Sequence, residues 1–495
     1  MLTAKNKERI NQDRFFRILA VLIVITGIAL RIAEWIHHRD LMMDEVNVVR
    51  NLYERNFIGL LKPLYYEQFA PPVFLWMVKI CTLVFGFGEL SLRLFPLLCS
   101  CISLWLLYRL CVKSDAVKGG WYVLSLFSFS LIYLQYGNDV KQYASDALVS
   151  LILLLAAVSG INRFTVFKYT ISWILLGSFA IWLSMPSVFV LAGVGIFLLY
   201  NAFRERRYLY PTLITGVVWL MMFGCYYFLL LKNQLASEYL QSFHKPYFLK
   251  ISRWSDVAAD HNVQLLKDLF YSVTGNDNEN FLYFNLLLLA IGFISLFKKG
   301  IQFGLLFFVP VFVLIAASVL HLFTLLPRVC ILIMPVLLFV IAVGFSTVVG
   351  LLKKIWLQIP LYALGLLCIF YSQQLNKFKT ANRIEIDELS EEIAFAKAHN
   401  VSYDRMYLPI LYEPNFIYYS AIHPDKERRS QYRMLRLFKN ENYQLLREHI
   451  NGRSAFLYFW IDDNTLQQHR DSIFAYLQPV DSLVKPSYKV LIFDK

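Results

Sequence analysis

Long runs of apolar residues constrain this chain more than any other feature. Stretches such as 148–158, 307–322 and 331–344 contain almost no charge. A helix crossing a hydrocarbon layer of roughly 30 Å needs about 20 mostly apolar residues. Of the 495 residues, 58% are hydrophobic and only 17% charged, whereas a soluble domain is closer to half apolar and a quarter charged. The chain therefore reads as a polytopic α-helical membrane protein.

The net charge of +13 raises the question of nucleic acid. Much of the excess falls in short loops between apolar segments, and no basic stripe interleaved with exposed aromatics accompanies it. Nucleic-acid binding is set aside on that ground. All seven cysteines lie within apolar segments without the paired spacing of a zinc site, so they read as small packing residues.

Apolar segments at 16–36, 91–111, 118–137, 146–161, 169–184, 186–203, 209–231, 281–297, 301–321, 328–348 and 354–372 are candidate spans, about eleven in all. A further run, 71–87, decides the orientation of everything after it. If it does not span, Arg109, Lys113, Lys118, Arg163, Lys168, Arg204, Arg206, Arg207, Lys298, Lys299, Lys353 and Lys354 all fall on one side. Lys and Arg in short loops mark the cytoplasmic side. The run is therefore expected to dip into or lie along the outer leaflet, its Pro71-Pro72 opening suiting a helix start. Lys5, Lys7, Arg9, Arg14 and Arg17 precede the first span, and no small-x-small cleavage pattern follows. A retained first helix with a cytoplasmic N-terminus is expected.

This topology gives a membrane domain over 1–372, with outward loops at 37–90, 138–146 and 232–280. Beyond residue 373 the composition turns polar. Alternating stretches at 405–411, 455–461 and 488–493 predict strands, and 388–398 and 464–476 predict helices. Residues 373–495 are expected to form a small α/β domain outside the membrane.

Three outward places carry groups suited to chemistry. The first loop contains His37-His38-Arg39-Asp40-Leu41-Met42-Met43-Asp44-Glu45. By itself Asp44 could simply cap a helix over 45–55. The second contains Asn138-Asp139-Val140-Lys141-Gln142-Tyr143-Ala144-Ser145-Asp146. Carboxylates and a lysine there are expensive near lipid and usually face a cavity or a partner, although Asp146 also suits a helix first turn. The third is Pro327-Arg328, where a guanidinium can hold a phosphate bidentately or snorkel to headgroups. The cluster Gly275-Asn276-Asp277-Asn278-Glu279-Asn280 lacks the spacing of a twelve-residue calcium loop and reads as a turn.

Met43-Asp44-Glu45, followed by Phe69-Ala70-Pro71-Pro72-Val73-Phe74-Leu75-Trp76 and by Gly86-Phe87-Gly88-Glu89-Leu90-Ser91-Leu92-Arg93-Leu94, resembles the first loop of the GT-C membrane glycosyltransferases. That superfamily includes aminoarabinose transferases and dolichyl-phosphate-mannose protein mannosyltransferases. Residues 141–146 resemble its second-loop acidic motif, and Pro327-Arg328 also fits. The resemblance covers about residues 10–372 and implies a GT-C-like fold. It implies a polyprenyl-phosphate sugar donor and an inverting transfer to a glycolipid, polysaccharide or protein in the cell envelope. The bilayer in question would be the inner, cytoplasmic membrane.

The resemblance makes Asp44 the general base, with Glu45 and Asp146 as further catalytic acids. Asp139, Lys141, Tyr143, Arg328 and Arg93 then bind substrate. Asn47 and Glu67-Gln68-Phe69 stand where aminoarabinose transferases carry an arginine and a Glu-Lys-Pro, so one phosphate-binding lysine is missing. Glu67 with His244 or His261 offers a thin ligand set for a divalent metal; no cofactor is otherwise implied. A transporter or lipid flippase is the alternative. It would show internal repeats and interrupted helices with polar groups near the midplane. A non-catalytic scaffold, its outer domain binding a partner, is the third reading.

Overall fold

The computed structural model describes residues 4–494 except 38, 160–164, 233–236, 252, 276–277, 353, 371–388, 439–442, 451, 460–476 and 485–487. Arg163, Lys353, His38, Asn276, Asp277 and the expected helix 464–476 lie outside the described residues.

The membrane part is built of α1 (Ala4–Ile36), α2 (Met43–Glu54), α3 (Pro72–Phe85), α4 (Glu89–Lys113), α5 (Val117–Phe129), α6 (Leu131–Gln135), α7 (Tyr143–Ser159), α8 (Val166–Leu183), α9 (Ser187–Arg204) and α10 (Leu209–Tyr226). There follow α11 (Glu238–His244), α12 (Asp260–Thr274), α13 (Glu279–Lys299), α14 (Ile301–Val319), α15 (Met334–Leu351) and α16 (Ile355–Phe370). Eight helices among the described residues are long and apolar enough to cross a membrane, and α3, α7 and α16 are shorter apolar ones. This is a multi-pass membrane protein.

Burial separates centre from rim. In α15 72% of the apolar window is buried, against 22% in the helix ending at Leu231. The centre is held by close backbone approach. A methyl group at Gly292 would overlap the Val340 carbonyl of α15, and one at Gly344 would overlap the Leu288 carbonyl of α13. Small residues permit such contact where lipid supplies no hydrophobic drive for helix association.

Two expected spans differ from single continuous helices. Segment 118–137 is not one helix: Ser130 is extended (φ −67°, ψ 131°) and separates α5 from α6. Backbone groups freed inside a bilayer must find other partners. Arg31 of α1, fully buried, donates to the Phe127 carbonyl at 2.8 Å and the Ser128 carbonyl at 3.3 Å. In segment 328–348 helix begins only at Met334, with Pro335 in its first turn, because proline suits the opening of a helix. Arg328 therefore sits in a run of turns.

The tail contains α17 (Leu389–Ala398), β1 (Met406–Pro409), α18 (Glu413–Ile417), α19 (Lys426–Met434), β2 (Arg436–Phe438), α20 (Tyr443–His449), β3 (Ser454–Phe459), β4 (Asp481–Val484) and β5 (Tyr488–Phe493). The sheet order is β2-β1-β3-β5-β4. β1 runs parallel to β2 and β3, while β3, β5 and β4 are antiparallel neighbours. Because side chains alternate along a strand, the two faces differ. Tyr407, Phe456 and Leu491 form a small separate core. Leu408, Ala455 and Ile492 join the cluster that also contains Leu389, Tyr418 and Tyr419. β2 and β4 were not expected from sequence; both are short and carry Arg436, Asp481 and Ser482 among few apolar residues.

Candidate active site

Asp44 and Glu45 are consecutive in the first turn of α2, about 100° apart around the helix, and meet different surroundings. The Asp44 carboxylate faces Arg328, Oδ2 to Nη1 at 3.4 Å, and both side chains reach solvent at 37% and 26% exposure. Asp44 does not cap α2: residue 42 precedes the helix, and the Glu45 carboxylate accepts the Met42 amide at 3.0 Å.

Arg328 also lies beside Tyr136 and Tyr143, whose rings meet edge-on at 5.1 Å. The Phe243 ring of α11 stands 5.9 Å from its guanidinium carbon. Lys141, buried, donates to Gln68 Oε1 at 2.6 Å. Burial lowers its proton affinity, while the Asp44 charge acts in the opposite direction. Asp44, Arg328 and Lys141 therefore share one electrostatic neighbourhood at the mouth of the site.

Glu45 is 1% exposed and its two oxygens are fully engaged. Oε1 accepts from Arg93 Nε at 3.1 Å and the Val140 amide at 2.9 Å. Oε2 accepts from Arg39 at 2.9 Å, Arg93 at 2.8 Å and the Met42 amide. Burial opposes its charge, but Arg39 and Arg93 outweigh burial and hold the carboxyl down at about 2. Asp139 pairs with the other arm of Arg39. Burial pushes its carboxyl up to about 7 against the pull of Arg39, with repulsion from Glu45 adding to the rise. Arg93 spends its remaining donors on the carbonyls of Arg39 and Asp40, at 2.6 and 3.0 Å. A carboxylate with its lone pairs occupied and no solvent contact has no place for a substrate proton. Glu45, Asp139, Arg39 and Arg93 form a closed tie between loops 37–90 and 138–146, so that Glu45, Asp139 and Arg93, expected as catalytic or substrate-binding groups, are brought together away from solvent.

Asp146, expected among the catalytic acids, lies apart from this tie. It is 2% exposed on α7, beside Ser184, with one oxygen lacking a hydrogen-bond partner. The neighbours it acts on are Cys99 and Tyr226, not the mouth. One residue earlier in the same turn, Ser145 closes back on Gln142, and Tyr143 alone of this turn reaches the Arg328 neighbourhood.

The expected metal set does not assemble. Glu67, in a left-handed backbone (φ 52°), accepts from Ser237 at 2.7 Å. His261 Nε2 lies 3.1 Å from the Phe248 carbonyl oxygen. His244 belongs to the Arg328 side, where burial and that guanidinium both lower its basicity. Among the described residues no three His, Cys, Asp or Glu side chains converge as a metal would require.

Sequence reasoning did not find Arg39, Gln68 and Tyr136. Arg39 stood in the first-loop string with nothing local to distinguish it; its partner Asp139 is 100 residues away.

Residues 70–228, spanning α3 to α10, match the family model described as dolichyl-phosphate-mannose-protein mannosyltransferase. Among solved structures, the chain is similar to ArnT from Cupriavidus metallidurans bound to undecaprenyl phosphate (11% identity, 95% of this chain and 97% of that one, TM-score 0.44). The apo ArnT matches at 11% identity over 96% and 98%, TM-score 0.45. The Archaeoglobus fulgidus oligosaccharyltransferase in complex with Zn and sulfate matches at 12% identity over 85% and 57%, TM-score 0.42. No curated protein sequence matches the chain.

Proposed function

We propose that the protein transfers a sugar from a polyprenyl-phosphate donor to an acceptor hydroxyl on the outer face of the inner membrane, with inversion at the anomeric carbon. The observation that carries this reading is the solvent-reaching Asp44–Arg328 pair beside Lys141, on a chain whose residues 70–228 match a glycosyltransferase family. Undecaprenyl phosphate, bound by the ArnT structure, is the kind of carrier such a site would accept.

Without donor, Asp44 and Arg328 neutralise each other. An arriving phosphate is a better bidentate partner for the guanidinium, so donor binding frees the Asp44 carboxylate. The acceptor hydroxyl then attacks the anomeric carbon and gives its proton to Asp44. The bond between that carbon and the phosphate oxygen breaks, and its electron pair leaves with the phosphate. Charge grows on that oxygen as the bond opens, which is where Arg328 and Lys141 act. Tyr143 and Tyr136 set the Arg328 head from behind. The acceptor is a glycolipid, polysaccharide or protein hydroxyl.

The transporter reading has less support: apart from Arg31 at the break near Ser130, the solvent-reaching charged groups Asp44 and Arg328 gather at helix ends rather than at interrupted helices near a midplane. Purified protein in lipid, given a labelled polyprenyl-phosphate sugar and envelope acceptors, should release free polyprenyl phosphate and yield a product of inverted anomeric configuration. Movement of the intact lipid between leaflets with no release would support the transporter instead.

A further inference from the structure

The tail reaches into the loop that carries Asp44. Asp40 pairs with Arg428 of α19 and accepts the Ser390 amide of α17 at 2.9 Å. Leu41, completely buried, donates its amide to the Tyr419 hydroxyl at 2.8 Å, and its carbonyl accepts from Asn415 at 2.9 Å. Arg428 lies over the Tyr419 ring at 4.5 Å, so the charged partner of Asp40 and the hydroxyl that holds Leu41 brace each other. A second fastening joins Glu89, at the start of α4, to His423 at 3.0 Å. Tyr419 and its neighbours form a π-turn, Tyr418–Ile422, a distortion often found where a helix serves a site.

Arg93 holds the same peptide from the membrane side, through the Arg39 and Asp40 carbonyls. Residues 39–41 are thus gripped from below by α4 and from above by the tail. Asp44 follows three residues later on the first turn of α2. A shift of about 1 Å in a reacting group can cost about a hundredfold in rate.

We propose that the C-terminal domain is a working part of the transfer site, and that Arg428, Tyr419 and Asn415 are positioning residues which hold Asp40 and Leu41 and so fix where Asp44 presents its carboxylate. The proposal rests on the glycosyl-transfer reading above and adds a role for the tail that does not require it to touch acceptor.

The experiment compares Arg428→Ala, Arg428→Lys and Tyr419→Phe in the full-length protein in lipid. Each is measured for steady-state release of polyprenyl phosphate and for amide hydrogen exchange. Positioning predicts that Arg428→Ala lowers kcat by about tenfold or more while the donor KM stays within about twofold, because Arg328 and Lys141 are untouched. Arg428→Lys, which keeps the charge beside Asp40, recovers part of the loss. Exchange over residues 39–55 speeds up in Arg428→Ala and at the Leu41 amide in Tyr419→Phe, with α13 and α15 as protected as in the wild type.

The proposal is overturned by kcat within about twofold of wild type together with unchanged exchange over 39–55. It is equally overturned if even Tyr419→Phe, which removes a single hydroxyl, loosens the whole molecule alongside this peptide. A wild-type protein that releases no polyprenyl phosphate defeats the transfer reading; the exchange measurements then decide on the clamp alone.

Discussion

Asp44 and Glu45 are adjacent acids on one helical turn, and their surroundings could hardly differ more. Glu45 is closed in, with two arginines and two backbone amides on its oxygens. Asp44 has a single guanidinium at 3.4 Å and an open side toward water. The first arrangement makes a rigid join between loops; the second leaves a carboxylate that an incoming phosphate can release. On the proposed reading, this acidic pair on one helical turn divides into a structural group and a chemical group, and helix geometry decides which is which.

The largest effect on stability should come from breaking the closed side. Glu45→Ala strands two buried guanidiniums, and removing one partner of such a set typically costs about 3–5 kcal/mol. Thermal unfolding in detergent or nanodiscs should show it, and an unchanged midpoint would mean the tie is dispensable. Arg328→Ala addresses the open side: release of polyprenyl phosphate should fall by about a hundredfold, the usual size of one lost electrostatic donor, with the unfolding midpoint little changed. Arg328→Lys keeps a charge but not the planar fork and should fall between wild type and Arg328→Ala in a dose–response with donor.

A smaller effect is expected from acid. The Glu45 carboxyl is held down at about 2 in the folded protein, below its ordinary value near 4.5. Its contribution is present above that ordinary value and is lost as pH falls through the folded one. Stability should therefore decline between about pH 4.5 and 2, and Glu45→Gln should flatten that limb while lowering the plateau. A limb of equal slope in both proteins would assign the acid sensitivity elsewhere.

Much of the architecture was legible because apolar length and loop charge are local quantities. The spans, the polar tail and the strands around 406–409, 454–459 and 488–493 follow from composition and period alone. The break at Ser130 was not legible, since the run 118–137 is apolar throughout and the compensating Arg31 sits in another helix. The site was half legible. Asp44, Lys141 and Arg328 stand out as charged groups at the ends of apolar segments. What divides Asp44 from Glu45 is the company of Arg39 and Arg93, and what removes Asp146 from the mouth is the side of α7 it occupies, against Ser184. Both are facts of long-range packing that one sequence does not contain. The same holds for Asp40 and Arg428, which meet across 388 positions.

The most direct measurement pairs Asp44→Asn with Glu45→Gln, each assayed for sugar transfer and for thermal unfolding in the same lipid preparation. The account predicts a crossing. Asp44→Asn should lose transfer by about 10²–10⁴-fold, the range for a general base, and unfold at the wild-type temperature; Glu45→Gln should unfold earlier and retain far more transfer than Asp44→Asn when measured well below that temperature. Transfer surviving in Asp44→Asn, or abolished only in Glu45→Gln, would contradict it.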